Sequence, residues 1–405
     1  MSNTGTWMQR VAQDWLVLEL AAGSGATALG ITTGLQFLPF LLLTPFAGLV
    51  ADRMPKHRLL QLTNIGMALP AGVLGVLAVT GHAEVWHVYV LAFLLGSASA
   101  FDAPARQSFV SEIVDPVDLT NAVGLNSASF NAARLVGPGL AGLLIAAFGG
   151  GAVATGWVIL INAGSYAAPI WSLRHLDLAR IDAAAPANRG PGAIKEGVAY
   201  VRARPDLVLV LCLVFFAGTF GLNFQITSAL MATEVYGKGP EEFGLLGTFL
   251  AVGSLTGALL AARRPHVRHR LVVGSALAFG ATVVLAGLMP TYLTFALLAP
   301  VTGLTALTFI TSANTYMQLH TDAGVRGRVM ALYLMIFMGG TPVGAPIIGW
   351  IGEEYGARWT LLGGGLLTIA GVALSATAYL RLVRRRRERV IPVDERVPAA
   401  APAAF

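Results

Sequence analysis

The ionisable side chains inside long apolar stretches are the residues of this sequence most able to do chemistry. Arg10 and Asp14 lie four positions apart in the first such stretch, and Arg134 lies alone in a later one. Burying a charge in a membrane helix costs about 2.5–3.5 kcal/mol, so such groups usually face a cavity or a partner. Residues at i and i+4 share a helix face. Asp14 is therefore predicted either to exchange a proton or to form a structural ion pair with Arg10.

Uncharged polar residues in the apolar stretches form a second set of candidates. Each could line a cavity that accepts an amphipathic organic molecule, or could instead hydrogen-bond one helix to another. These candidates are Asn126, Asn131, Asn223, Gln225 and Asn314.

Further charges lie where apolar stretches end. The segment Gly48-Leu-Val-Ala-Asp52-Arg53-Met-Pro-Lys-His-Arg58 joins the stretches 29–50 and 59–80 through a very short loop. Two helices joined this tightly must be antiparallel neighbours. Asp102 and Arg106 repeat the i, i+4 arrangement at the end of another stretch.

The composition places these residues in a membrane protein. Hydrophobic residues make up 55% of the 405 residues and charged residues only 12%, about half the share of charged residues in a soluble domain. A membrane span needs about 20 apolar residues, and backbone groups in lipid must be satisfied within helices. We therefore predict an all-α polytopic protein with twelve transmembrane helices, near 3–22, 29–50, 59–80, 85–105, 119–148, 152–173, 207–235, 243–262, 271–289, 292–319, 329–351 and 359–380.

The positive charges are distributed unevenly between the two sides of the membrane. With even-to-odd loops assigned to the cytoplasm, 23 Lys and Arg residues lie on that side and only Lys238 and Arg358 on the other. This asymmetry predicts that both termini are cytoplasmic. The net charge of +6 then reflects topology and contact with the lipid bilayer, and no nucleic-acid partner is expected. The lone Cys212 excludes an intramolecular disulfide and a cysteine-cluster metal site.

The chain is predicted to contain two repeated halves. Shifting by 208 residues places Gly137-Pro138-x-x-Ala141 on Ala345-Pro346-x-x-Gly349. We expect six-helix bundles at 1–173 and 207–383, a cytoplasmic linker at 174–206, and a basic and then disordered tail at 384–405. Met1–Gly30 covers 29 steps where its counterpart Asp206–Gly244 covers 38. We therefore expect a shortened first helix. Either the chain starts late, or the helix begins within the membrane.

The sequence lacks three motifs that are typical of enzymes. The sequence has no Gly-Lys-Ser/Thr phosphate loop, no His-Glu-x-x-His and no Gly-x-Ser-x-Gly, which would mark an ATP-driven pump, a metalloprotease or a hydrolase. We therefore expect neither an enzyme nor a cofactor or metal ion.

Several of these segments carry a family resemblance. The Gly48–Arg58 loop resembles the Gly-x-x-x-Asp-Arg/Lys-x-x-Arg/Lys-Arg/Lys signature of the major facilitator superfamily. The segments 5–16, 101–106 and 326–333 resemble its bacterial branch of enterobactin-type siderophore exporters and macrolide efflux proteins. The resemblance implies a gate on the cytoplasmic side of a bacterial inner membrane, in which Asp102 contacts Arg53 or Arg58. The implied gate residues are Gly48, Asp52, Arg53, Arg58, Asp102 and Arg106. A loop that only sets topology is the alternative.

A run of small residues around Arg134 resembles the antiporter motif of the same superfamily, with two Gly-to-Ala changes. It comprises Gly124, Ala133, Gly137, Pro138, Ala141 and Gly142. Close helix packing without any role in direction is the alternative interpretation.

The resemblance implies that a monomer exports a small amphipathic molecule, drug-like or siderophore-like, in exchange for protons. An importer or facilitator of an unknown metabolite with the same fold is the alternative. A non-transporting assembly or receptor protein would tolerate the loss of Asp14 and Arg134.

Overall fold

The computed structural model describes residues 2–390 except 22, 111, 115–116, 177–192, 263–266 and 323–324. Within these residues the regular secondary structure is entirely helical. Residues 391–405 of the predicted tail (384–405) and residues 177–192 of the predicted linker (174–206) lie outside the described residues.

The first half of the chain contains seven helices before the linker. Their bounds are α1 Ser2–Leu20, α2 Gly25–Arg53, α3 Lys56–Val79, α4 Val85–Val110, α5 Leu119–Ala147, α6 Gly151–Ser165 and α7 Ala167–Arg174. The linker contributes one helix, α8 Ala193–Ala203.

The second half begins directly after α8. Its helices are α9 Pro205–Phe216, α10 Phe224–Leu230, α11 Pro240–Ala262, α12 His269–Gly287, α13 Tyr292–Leu319, α14 Arg326–Gly339, α15 Thr341–Tyr355 and α16 Ala357–Val390, with π-helical turns at Ala217–Gly221 and Met231–Val235.

Eleven segments of the described chain are long and apolar enough to cross a membrane. Three of them combine two or more helices: α6 with α7, α9 with α10, and α14 with α15. Helix α1 is absent from the eleven, because Gln9, Arg10, Gln13 and Asp14 make its middle polar. It nevertheless packs against α5 and α6 as a member of the first bundle. At 19 residues, α1 is shorter than the 31-residue span Pro205–Val235.

The helices group into two bundles. In the first, which we call the N bundle, α1 packs on α5 and α6, α2 on α4, and α3 on α4 and α6. In the second, the C bundle, α11 packs on α13, and α12 and α9 pack on α16. Helix α2 lies along α15 and α5 lies along α11, which joins the bundles. The linker helix α8 contacts α14 and α9 of the C bundle.

Because successive spans reverse direction, the turns after α1, α3 and α5 lie on one side of the molecule, here called the far side. The first residues of α1, the last residues of α16, the helix α8 and the Arg53–Lys56 turn lie on the terminal side. Positive φ angles accompany the far-side turns at Gly23, Gly81, Gly149 and Gly356, a backbone conformation that glycine adopts without steric cost.

Two spans of the C bundle are interrupted at the same place. The α9–α10 span passes through a π-helical turn and a break at Leu222 and Asn223, and the α14–α15 span breaks at Gly340. A side chain at Gly344 would overlap the carbonyl oxygen of Thr219, so the two interrupted backbones are in direct contact. Non-helical backbone at membrane depth is tolerated where protein covers it, as here.

Glycines allow equally close contact within the C bundle. A Cβ atom at Gly253 of α11 would overlap the carbonyl oxygen of Pro300 of α13. Small residues at such crossings let helix backbones touch.

Replacing Gly253 by Ala is therefore expected to lower the free energy of unfolding by about 1–3 kcal/mol through overpacking. The measurement is thermal unfolding of the purified protein in detergent. Gly274→Ala is the matched control, since no atom lies within 4 Å of its added Cβ and Ala is the better helix former. Equal midpoints for the two variants would contradict the predicted contact.

Candidate functional site

The polar face of α1 opens onto a cavity within the N bundle. The cavity is small, with a volume of about 30 Å³. Helix α1 contributes Arg10, and α2 contributes Gln36 and Phe37. The full lining is Thr6, Gln9, Arg10, Gln36, Phe37, Phe40, Leu95, Gly96, Ser99 and Tyr166. This combination of aromatic faces with a few convergent polar groups is typical of small-molecule sites.

One indole ring contacts both half-buried arginines. The guanidinium carbon of Arg10 is 4.8 Å from the centre of the Trp7 ring, and that of Arg134 is 5.6 Å from the same ring. Arg10 also lies 5.7 Å from the ring centre of Phe37. Cation–π contacts contribute about 0.5–2 kcal/mol each, more where water is excluded. Arg10 and Arg134 thus both contact the ring of Trp7.

Asp14 lies one helical turn beyond Arg10 and is buried, with 5% of its surface exposed. Among the described residues no ion pair joins Asp14 to Arg10, so the intrahelical pair is not formed in this structure. The guanidinium of Arg10 is directed instead at aromatic rings.

Amide side chains hold this face of α1 in place. Asn162 of α6 donates a hydrogen bond to Gln9, and the Gln13 amide donates to the Gln36 oxygen of α2 over 3.4 Å. The signal for Gln36 and Asn162 was present in the sequence, since each is an isolated amide in an apolar run. They were not among the predicted site residues.

The other predicted polar candidates lie elsewhere. Asn126 is exposed on α5 and Asn131 is half-buried there. Asn223 is buried at the break between α9 and α10, where its amide donates to the Thr219 carbonyl over 2.8 Å. Gln225 is half-buried on α10, and Asn314 accepts a hydrogen bond from Gln318 on α13. The C-bundle candidates do not line the N-bundle cavity.

The predicted gate residues adopt a different arrangement from the expected one. Asp102 is buried and pairs with Arg106 over 2.7 Å. It also accepts a hydrogen bond from Thr63 of α3 over 2.9 Å. Arg53 and Arg58, its expected partners, are exposed. Gly48 and Asp52 lie on α2, but their side-chain environments fall outside the described residues.

An ion pair that the sequence analysis missed holds the Arg53–Lys56 turn. Lys56, the first residue of α3, pairs with Glu112 beyond the end of α4. Only 13% of the Lys56 side chain and 6% of the Glu112 side chain are exposed. Nearby Leu59, Leu60 and Phe109 form a separate apolar cluster. The turn is thereby attached to α4 at a charge pair largely removed from water.

Breaking a buried pair by removing one partner leaves a poorly solvated charge. Lys56→Met is therefore expected to lower the free energy of unfolding by about 3 kcal/mol, measured by thermal or denaturant unfolding in detergent. The matched control is Arg58→Met, two residues away and exposed, which should change stability little. If both variants unfold alike, the Lys56–Glu112 pair contributes no stability.

The small-residue run on α5 serves two different contacts. A Cβ atom at Gly137 would lie 2.6 Å from the Cβ of Trp7, so this glycine lets α5 approach α1. Pro138 and Gly142 instead face α11, where they meet Gly244 and Pro240. Ala133 and Ala141 are buried, and the surroundings of Gly124 fall outside the described residues.

Comparison with known proteins agrees with this architecture. The family described as transmembrane secretion effector matches residues 1–397. The solved structure of a bacterial homologue of the human lysosomal transporter Spinster, in an inward-facing and unoccupied conformation, superposes with a TM-score of 0.72 at 15% identity. That superposition covers 95% of this chain and 96% of the other.

Two curated bacterial relatives are exporters or transporters by name. The multidrug efflux pump Tap of Mycolicibacterium fortuitum is 27% identical over 375 residues, 89% of each chain. The staphyloferrin A transporter of Staphylococcus aureus is 32% identical over 145 residues, 36% of each chain. The helical architecture, the membrane spans and the match along nearly the whole sequence place this chain in the transmembrane secretion effector family of major facilitator superfamily transporters.

Proposed function

We propose that this protein is a secondary active transporter that exports a small amphipathic organic molecule, drug-like or siderophore-like, in exchange for protons. The observation that carries the proposal is the buried Asp14 on the same helix as Arg10, which is half-buried and lines a cavity in the N bundle. Arg134, also half-buried, contacts the same indole ring as Arg10. The names of the relatives, an efflux pump and a siderophore transporter, support the same class of cargo.

The residues that line the cavity offer the kinds of contact that such a molecule needs, and the small cavity has to widen to admit it. The guanidinium of Arg10 and the amides of Gln9 and Gln36 provide hydrogen-bond donors, and Phe37 and Phe40 provide apolar faces. An oxygen-rich molecule with an apolar body would satisfy both kinds of surface.

Asp14 is proposed as the proton-coupling residue. In the spans of the C bundle, every Asp, Glu, Lys and Arg lies in the first or last turn, whereas Arg10 and Asp14 lie in the middle of α1. A buried carboxylate that no described ion pair holds can gain or lose a proton without breaking a salt bridge. Movement of the neighbouring Arg10 toward a substrate would change the field at Asp14.

The contacts between the bundles support alternating access. On the far side, Trp15 stacks on Phe243 at 6.3 Å between ring centres, and Gly142 meets the backbone at Pro240. On the terminal side, the described ion pairs link helices of one bundle, as in Lys56–Glu112 and Arg204–Asp206, or attach α8 to the C bundle. A conformation closed on the far side only would admit substrate from the terminal side.

The proposed setting is a bacterial inner membrane, with both termini in the cytoplasm and the protein acting as a monomer. The charge asymmetry of the loops supports this orientation. In this orientation, an exporter would take up cargo from the terminal side. The Asp102–Arg106 pair and the Gly48–Arg58 loop remain proposed parts of a cytoplasmic gate that forms when the terminal side closes.

The test is flux of a fluorescent lipophilic dye and of a macrolide into inverted vesicles with an imposed proton gradient. Accumulation that the gradient drives is expected for the wild-type chain. Asp14→Asn should reduce it to the level of vesicles without the protein, because the variant cannot release a proton. Folding of the variant is checked by its thermal unfolding midpoint.

Glu354→Gln is the control, since it removes an exposed carboxylate at the far end of α15. Undiminished flux in Asp14→Asn would remove Asp14 from the mechanism. Gradient-driven movement in the opposite direction would replace the exporter by an importer of the same fold. No flux with either probe in a folded wild-type protein would refute drug-like export of these two cargo classes.

A further inference from the structure

The cavity in the N bundle is lined by side chains whose remaining polar groups are hydrogen-bond donors. Gln9 of α1 is buried, and its side-chain oxygen accepts a hydrogen bond from Asn162. The side-chain oxygen of Gln36 likewise accepts from Gln13 over 3.4 Å. Both glutamines line the cavity, and these bonds leave their amide N–H groups for another partner. Arg10 lines the same cavity, and a guanidinium only donates.

Aromatic rings hold the guanidinium of Arg10 without using its N–H groups. The guanidinium carbon lies over the rings of Trp7 and Phe37, at 4.8 and 5.7 Å from their centres. In a guanidinium the N–H groups lie in the plane of the group and form a rigid fork. A carboxylate matches this fork with two parallel hydrogen bonds. The rings therefore restrain Arg10 and leave it able to bind a planar, two-oxygen acceptor.

The charges at this depth of the N bundle do not balance. Arg10 and Arg134 both contact the Trp7 ring, and Asp14 is the one acid in the middle of α1. The other acidic residues of helices α1 to α6 lie toward helix ends; they are Glu19, Asp52 and Asp102. Among the described residues that line the cavity, none is acidic. One positive charge thus lacks a balancing acid there, which favours an anionic ligand.

The size of the cavity fits a head group and not a whole drug-sized molecule. Its volume is about 30 Å³. One water molecule needs about 10–15 Å³ of such space, so the cavity has room for about two waters or for one carboxylate group in their place. The body of the ligand has to lie outside it. Phe130 of α5 is half exposed and packs edge-on against Trp7 at 5.8 Å, which places an apolar surface close to Arg10.

We propose that Arg10, together with the amides of Gln9 and Gln36, forms a subsite for a carboxylate group of the cargo. The cargo is then an organic anion with an apolar body, which narrows the class of molecule named above; that the ligand is cargo rests on the proposed function. Its carboxylate and that of Asp14 together balance Arg10 and Arg134. A phosphate monoester carries close to two negative charges at neutral pH and would exceed this balance.

The experiment measures binding to the purified protein in detergent at neutral pH by isothermal titration calorimetry. The probe is 1-naphthylacetate, compared with its neutral amide 1-naphthylacetamide and with 1-naphthyl phosphate. The proteins are the wild type, Arg10→Gln, Arg10→Lys and Arg381→Gln. Arg381 is an exposed cation on α16 of the C bundle, so its variant is the matched control for the loss of one positive charge. Thermal unfolding midpoints establish that each variant folds.

The wild type is expected to bind 1-naphthylacetate about 10- to 100-fold more tightly than the amide, the ratio that hydrogen bonds between charged groups supply. Arg10→Gln should lose this preference. Arg10→Lys keeps the charge but not the planar fork, so it should keep only part of the preference. Arg381→Gln should bind both probes as the wild type does. The phosphate should bind no more tightly than the carboxylate.

Equal affinity of the wild type for the carboxylate and the amide would overturn the proposal, as would an undiminished preference in Arg10→Gln. Tighter binding of the phosphate would assign the site to another anion and overturn it as well. If Arg10→Gln does not fold, Gln36→Met takes its place, and an unchanged preference there has the same meaning. Binding does not depend on transport, so a preserved preference without flux in vesicles would refute export and leave the subsite standing.

Discussion

The structure depends on direct backbone contact between helices at glycine. Along α2 and α15, Gly30 meets Ala345 and Gly349 meets Ala26, and along α5 and α11, Gly142 meets Pro240 and Gly244 meets Pro138. Lipid offers no hydrophobic driving force for helix association, so packing at this distance has to supply the attraction. Each contact places a glycine against the backbone of the facing helix. Few side-chain hydrogen bonds accompany these contacts among the described residues, such as the one from Thr248 to the Leu135 carbonyl, which suits two bundles that rock against each other.

The charged residues are distributed differently in the two bundles. Those at mid-depth are confined to the N bundle, where Arg10 and Arg134 flank Trp7 and Asp14 is buried nearby. The C bundle keeps its charges in terminal turns and carries interrupted helices at Asn223 and Gly340 instead. The N bundle also has an interrupted span, which breaks at Tyr166 between α6 and α7, but its charges at mid-depth lie on the continuous helices α1 and α5.

The spans and the buried ionisable residues were predictable because they depend on local composition. Helix α1 was expected over 3–22 and runs from Ser2 to Leu20, and both Arg10 and Arg134 are indeed directed at the N-bundle interior. The partner of each side chain was not predictable. Asp102 pairs with Arg106, its i, i+4 neighbour, but its second partner, Thr63 of α3, depends on how α3 and α4 pack and could not be read from the sequence. Glu112 gave no signal in the sequence, since it follows α4 in a stretch that reads as a loop.

The depth of Asp14 is what suits it to the proposed proton exchange, because it is buried within the N bundle on a single continuous helix. A proton bound there would move with the bundle if the two bundles rock against each other, as alternating access requires. A carboxylate in a terminal turn, such as the exposed Glu353, lies at one surface of the molecule and could not serve both sides of such a cycle.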